Sequence, residues 1–278
     1  MITCPSVRKD VIRDHYDVGT LFYRLFWGSH IHHGYWEADE SPAVAQDQLT
    51  DRLADLAGVE SKTALLDVGC GMGASSRRLA SLRRCHATGV TISRVQRRWA
   101  TTVARLRGLS RQTTFLCADA ETISFPAASF DTVWSIECTE HLFNKPRFFQ
   151  RAAGWLKPGG RLAICAWLAG DNLDESRRQQ VYDVCEGFFC PSLGTRADYE
   201  QWISESGLVV EHSEDWTARV MQTWEICSRR IHRYSLHRLA GLVRPSQLIF
   251  LDRFDTILNA YRSGAMQYGC FIARKPLA

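Results

Sequence analysis

The stretch ALLDVGCGMGASSRRLASL, residues 64–82, decides the fold. ALLDVG is an apolar run of strand length, and ASSRRLASL follows it as a helix. Gly69, Gly71 and Gly73 form the turn between them. A strand apolar on both faces belongs in a covered parallel sheet. In such a sheet ligands bind at the carboxyl ends of the strands. The glycines let main-chain N–H groups approach a ligand closely, and the helix N-terminus presents unpaired N–H groups to an anionic group.

The same alternation continues outward. HATGVT (86–91) reads as a second strand and SRVQRRWATTVARLRG (93–108) as its helix. TTFLCAD (113–119) and FDTVWSIE (130–137) are a third and fourth strand. A helix over 145–156 ends at Lys157-Pro158-Gly159-Gly160, and RLAICAW (161–167) is the fifth strand. TRADYEQWISESG (195–207) is a helix with a glycine stop, LVVEHSEDW (208–216) a strand and MQYGCFIARKP (266–276) the last strand. The expected fold is α/β, a seven-stranded, mostly parallel sheet flanked by helices. Residues 1–60 form an N-terminal helical lid, with a helix over 43–57 closed by Gly58. Residues 61–216 and 263–278 form the core, and 217–262 a helical cap on the substrate side, inserted before the last strand. The whole is effectively one domain.

Composition excludes several classes. The chain has 278 residues, 45% hydrophobic and 23% charged, with a formal charge of +4. It needs no disulfide or metal staple, and so small a charge without a Lys/Arg run gives no reason to expect nucleic acid. The first residues lack the apolar run of a signal peptide, and no apolar stretch is long enough to span a bilayer. The expected location is cytoplasmic. The ten cysteines are scattered without a C-x-x-C pair, and Cys70, Cys117, Cys138 and Cys165 read as small buried hydrophobes.

Asp67 precedes the glycine turn, and a carboxylate there suits an ammonium better than a pyrophosphate. The spacing is G-x-G-x-G rather than the G-x-G-x-x-G of dinucleotide sites, and HATGVT ends without the acid that holds a ribose. Asp119-Ala120 closes the third strand, and LKPGGRLAI leads into the fifth. Together these sites resemble the class I S-adenosylmethionine-dependent methyltransferases over about residues 60–170. YDVGTLFYRLFWGSHIHHGYW, GVTISRVQ, SIECTEHL and CPSLGTRADYEQWISESGL extend the likeness along nearly the whole chain. They are similar to the γ-tocopherol methyltransferase group of small-molecule enzymes.

The resemblance implies a Rossmann-like fold, S-adenosylmethionine as cofactor and S-adenosylhomocysteine as its product. It implies that Asp67, Gly69, Cys70, Gly71 and Gly73 hold the methionine end. Thr91, Ile92, Ser93 and Gln96 match the group's T-[IL]-S-x-x-Q segment, where hydroxyls replace the acidic ribose ligand. Asp119 is expected at the adenine amine and Ala120 N–H at its ring; Glu137 and His141 face the transferred methyl, and Tyr16 closes over the cofactor.

Each assignment has a plainer alternative. Ser93 caps a helix whether or not it meets ribose. His141 is either the base for a substrate hydroxyl or a loop-stabilising histidine, and it shares a face with Glu137 if the chain turns helical there. Tyr16 and the stripe Phe22, Tyr23, Phe26 and Trp27 are core rings or cavity wall. His30, His32 and His33 lack companions spaced to complete a metal shell, so no metal is expected; they line the substrate mouth or pack. Arg229, Arg230, His232, Arg233, His237, Arg238 and Arg244 are a solvated face or a counter-charge for an anionic substrate. The expected activity is methyl transfer to a C, O or N atom of a small, aromatic or apolar metabolite, in specialised metabolism. The competing readings are an NAD(P)-binding oxidoreductase and a non-catalytic cofactor-binding protein.

Overall fold

A computed structural model describes residues 1–234 and 253–277. The chain opens with β1 (Ile2–Thr3), α1 (Lys9–Phe26) and α2 (Pro42–Ala57). It then alternates through β2 (Ala64–Val68), α3 (Ala74–Leu82), β3 (His86–Thr91), α4 (Arg94–Leu106), β4 (Thr113–Cys117) and β5 (Phe130–Ile136). A 3-10 turn at Thr139–His141, α5 (Lys145–Trp155) and β6 (Leu156–Ala169) follow. Beyond them lie α6 (Glu175–Gly187), β7 (Ser192–Leu193), α7 (Arg196–Glu205), β8 (Val209–Asp215), α8 (Thr217–Val220), α9 (Gln222–Tyr234), α10 (Phe254–Arg262) and β9 (Met266–Arg274).

Seven strands form one sheet in the order β4-β3-β2-β5-β6-β9-β8. β2 pairs parallel with β3 and β5, β3 with β4, and β5 with β6, while β9 runs antiparallel to both β6 and β8. The chain winds one way from β2 through β3 to β4, and the other way from β5. That reversal opens a crevice at the carboxyl ends of β2 and β5. Asp67 and the glycine turn end β2, while Glu137 and His141 follow β5, so topology alone brings these distant residues together.

Local chemistry places the helices. Pro42 opens α2, and Gly58 closes it in the left-handed conformation, φ 67°. Ser93 caps α4 by accepting from Gln96 N–H, and Thr195 and Asp198 form a capping box on α7. Buried faces of β2, β5, β6 and β9 supply apolar clusters on both sides of the sheet.

Three expectations change. The turn expected at residues 157–160 belongs to β6, which begins at Leu156. Leu156 pairs with Phe130, and Gly159 and Gly160 exchange backbone hydrogen bonds with Lys275. Sheet pairing thus overrides the local Pro-Gly-Gly signal. The two-stranded antiparallel pair of β1 with β7 has no local signature at all. Cys117 is exposed, and Cys70 and Cys138 are only half-buried. All ten cysteines are free.

The N-terminal segment is not separable from the core. Cys4, Ile12, Tyr23, Trp27 and Tyr35 belong to the apolar cluster that includes Leu65 of β2 and Cys165 of β6. Deleting residues 1–36 would open this cluster to water, so function there is better tested by single substitutions. In the region expected as a cap, α8, α9 and α10 are helical, and His237, Arg238 and Arg244 lie outside the described residues.

Candidate functional site

Two adjacent spaces lie at the carboxyl ends of β2 and β5. The outer cleft holds about 980 Å³, its open mouth included. Asp67, Gly69, Cys70, Gly71, Thr91, Ile92, Gln96, Asp119, Ala120, Glu137, His141 and Tyr16 all line it, so most of the expected site residues meet in one place. The inner cavity, about 500 Å³ with its open part included, is walled by Tyr23, Trp27, Trp167, Phe188, Trp224 and Glu140. Tyr16, Ile31, Glu137 and His141 border both spaces.

At the glycine turn, Asp67 is buried and accepts a hydrogen bond from Ser76 Oγ at 2.5 Å. Burial pushes its carboxyl up to about 6, against the opposing effect of Ser76. Gly71 has φ +52°, and a Cβ added there would meet only Ile31 Cδ1, at 3.8 Å. Gly69 and Gly73 differ: an added Cβ would strike Cys138 at 2.3 Å or Phe115 at 2.6 Å. Gly73 does not line the cleft; its task is close packing of α3 against β4.

On the next strand, Thr91 Oγ1 donates to Gln96 Oε1 at 2.9 Å. This fixes the amide and leaves the buried Gln96 Nε2 without a partner among the described residues. A buried donor without an acceptor beside a cleft is what a ligand hydroxyl satisfies. That orphan, with the carboxylates of Asp67 and Asp119 lining the same cleft, fits a cofactor carrying an ammonium, a ribose and an adenine amine. Ser93 does not line the cleft. It caps α4 and donates to Asp17 Oδ1 at 2.5 Å.

Helix α1 lines this cleft with Lys9, Ile12 and Tyr16 and is anchored beside it by Asp17. Lys9 Nζ donates to Asp119 Oδ2 at 2.7 Å and to Glu121 Oε2 at 2.6 Å. Asp17 holds Ser93 and the Val95 N–H at the start of α4. Tyr16 meets His141 Nε2 at 2.8 Å. Since His141 Nδ1 lies 3.1 Å from the Phe189 carbonyl, it carries the ring proton, and Tyr16 O–H donates to Nε2. Burial pulls the His141 pKa down to about 4, so the ring is neutral at pH 7.

Glu137 sits at φ +52°, a strained backbone at the strand end. Its Oε1 accepts from the His33 backbone N–H at 2.8 Å and from Tyr268 O–H at 2.7 Å. The turn at Thr139–His141 therefore does not pair Glu137 with His141; each is held by a different element. His33 is buried against Glu137 and the Trp167, Trp224 and Tyr268 rings. His30 and His32 line the outer cleft, with His30 Nε2 at 3.1 Å from Asp47 and His32 Nε2 at 2.9 Å from His30 Nδ1. Among the described residues, no three His, Cys, Asp or Glu side chains are arranged to hold a metal ion.

Tyr23 and Trp27 are both core and inner-cavity wall. Arg229, Arg230, His232 and Arg233 line neither space; Arg230 binds the Phe26 carbonyl and His232 pairs with Asp255. Sequence reading missed Lys9, Asp17, Glu121 and Glu140. Only Glu140, inside SIECTEHL, had a signal within a motif.

The family model described as Mycolic acid cyclopropane synthetase matches residues 5–263. Tocopherol O-methyltransferase of Arabidopsis thaliana, chloroplastic, is 28% identical, covering 98% of this chain and 83% of that protein. The 27-O-demethylrifamycin SV methyltransferase of Amycolatopsis mediterranei is 31% identical, covering 94% and 95%. The solved structure of the [4+2]-cyclase SpnF superimposes with a TM-score of 0.87 at 26% identity, covering 99% of this chain and all of that one. No helix among the described residues is long and apolar enough to cross a membrane.

Proposed function

We propose, from the premise that this chain belongs to the mycolic acid cyclopropane synthetase family and is an S-adenosylmethionine-dependent class I methyltransferase, that it methylates an oxygen-bearing, flat and apolar small molecule seated in the inner cavity. The observation that carries this reading is the Tyr16–His141 pair standing between the outer cleft and the aromatic inner cavity. When bound, S-adenosylmethionine supplies an electrophilic methyl group on a sulfonium.

The chain's own residues do the rest. Asp67 would hold the ammonium, the Gln96 amide and Thr91 the ribose, and Asp119 with the Ala120 N–H the adenine. His141, neutral and tied to the Phe189 carbonyl, accepts a proton at Nε2. The acceptor hydroxyl gives its proton to Tyr16 Oη while the Tyr16 proton passes to His141, which leaves the acceptor oxygen nucleophilic. Rings of Trp27, Trp167 and Trp224 exclude water and orient a flat acceptor. Residues 1–60 act as the lid and helices α8, α9 and α10 as the cap of an effectively single domain, and the acceptor is a small metabolite rather than a nucleic acid.

The test is acceptor-dependent release of S-adenosylhomocysteine from S-adenosylmethionine across a panel of hydroquinones, phenols and naphthols. Release with at least one of them supports the reading. A protein that binds S-adenosylhomocysteine but methylates none of them overturns the reading of a flat, oxygen-bearing acceptor.

Two predictions arise here. Asp67 attracts an ammonium only when ionised, and its free-protein pKa is about 6. Affinity for S-adenosylhomocysteine should therefore be steady near pH 7–8 and weaken by up to about tenfold per unit below 6. Calorimetry from pH 5 to 8 measures this, and an even affinity across the range removes Asp67 from the ammonium site. The second concerns α1, which closes the cleft through Lys9, Tyr16 and Asp17. Its amides should exchange about tenfold more slowly or better when S-adenosylhomocysteine saturates the protein, while β2 and β5, already protected, change little. Unchanged exchange in α1 would make it a fixed wall rather than a lid.

A further inference from the structure

Glu140 is a buried carboxyl that the methyl-transfer chemistry above leaves without a task. It lies in the turn Thr139–His141, lines the inner cavity and is 1% exposed. Its Oε1 accepts the Trp167 backbone N–H. Its Oε2 has no hydrogen-bond partner among the described residues. Burial pushes this carboxyl up to about 8, and the nearby Glu137 adds to the rise, so it keeps its proton at pH 7. Because Oε1 is already an acceptor, the proton belongs on Oε2, where it forms an unused donor in the wall of an aromatic chamber. Buried polar groups are almost always paired, and a donor left over in a cavity wall is the kind of group that fixes a ligand's orientation.

We propose that the inner cavity is the acceptor site and that Glu140 donates a hydrogen bond from Oε2 to a carbonyl, phenol or quinol oxygen of a flat apolar acceptor, which makes it a specificity-determining residue. This rests on the methyltransferase reading for what the acceptor is, but not for the binding itself. Trp167 Nε1 and Trp224 Nε1, in the same wall, are also buried donors without a partner among the described residues, so Glu140 is one of three such groups that favour an oxygenated ligand over its hydrocarbon analogue.

The experiment compares 1-tetralone with tetralin, which share a body and differ by one acceptor oxygen. Their affinities are measured by tryptophan fluorescence and calorimetry on protein saturated with S-adenosylhomocysteine. Tetralone should bind at least about tenfold more tightly than tetralin. Glu140→Leu should cut the tetralone preference to about a third or less, the remainder coming from the Trp167 and Trp224 N–H groups, while S-adenosylhomocysteine affinity stays unchanged. Glu140→Gln keeps an N–H donor and a carbonyl for Trp167, so it should retain most of the preference, a rescue that a merely structural role would not give. If Glu140→Leu fails to fold, Glu140→Met carries the same comparison. A tetralone preference that survives undiminished in both apolar variants overturns the role of Glu140 and leaves the chamber standing. Equal binding of both probes to the unsubstituted protein does the same. If neither probe binds a protein that still takes S-adenosylhomocysteine, the acceptor chamber falls together with the assignment of Glu140, and the cofactor cleft survives.

Discussion

Gly71→Leu should weaken binding of S-adenosylhomocysteine by at least about 100-fold, about 2.7 kcal/mol, in a protein that still folds. The three loop glycines do different things, and only one of them reports on the ligand. A side chain at Gly69 or Gly73 would collide with Cys138 or Phe115, so those variants would lose structure before they lost affinity. At Gly71 the nearest atom to an added Cβ is Ile31 Cδ1, at 3.8 Å, and the direction is into the outer cleft. A leucine there fills space that the methionine end of the cofactor needs. It also meets a positive φ, which costs about 1–2 kcal/mol of strain and a few degrees of thermal stability. Gly71→Ala bears the same strain with a much smaller side chain, and so separates strain from blockade. Leucine and alanine variants with equal, near-normal affinity would move the cofactor away from this turn.

The second large effect is expected at His141. His141→Ala should lower kcat by about 100-fold to 10,000-fold, the range a positioned base supplies, with S-adenosylhomocysteine affinity within about threefold of the unsubstituted protein. Tyr16→Phe removes the relay oxygen and keeps the ring, and should cost about tenfold or more. The pH profile adds a signature that a loop-stabilising histidine would not give. His141 must be unprotonated to accept a proton, and burial holds its pKa near 4. The acid limb of kcat/KM for a phenol acceptor should therefore fall near pH 4 rather than near 6.5, the ordinary histidine value. An acid limb near 6.5, or a His141→Ala variant with unchanged kcat, would assign the proton to another group.

Much of this site was legible because its motifs are local. Asp67 with Gly69 and Gly71, Thr91 with Gln96, and Asp119 with Ala120 each occupy a few residues at a strand end, and chain geometry alone carries those ends to one edge of a parallel sheet. The alternation of apolar runs with helical stretches fixed the strand count and, through the right-handed crossover, the side on which the ends meet. Period and turn chemistry determine such features because neighbouring residues supply them.

What the tertiary structure decided involves partners far apart in the chain. Gly73 and Ser93 carry the right motif letters, but packing against Phe115 and bonding to Asp17 turn them away from the cleft. Lys9 reaches Asp119, Tyr16 reaches His141, and His33 reaches Glu137, each across more than 100 residues, and no local pattern encodes which side chain a helix will set down on which strand end. Glu140 shows the limit most sharply. Its neighbours in sequence are Thr139 and His141, yet its protonation follows from the enclosure built by α1, β6, α6 and α9. The sequence by itself determined which strand ends meet at the outer cleft, because strand ends are local. Only the folded chain decided which groups are dry, and dryness sets whether a carboxyl is a charge or a hydrogen-bond donor.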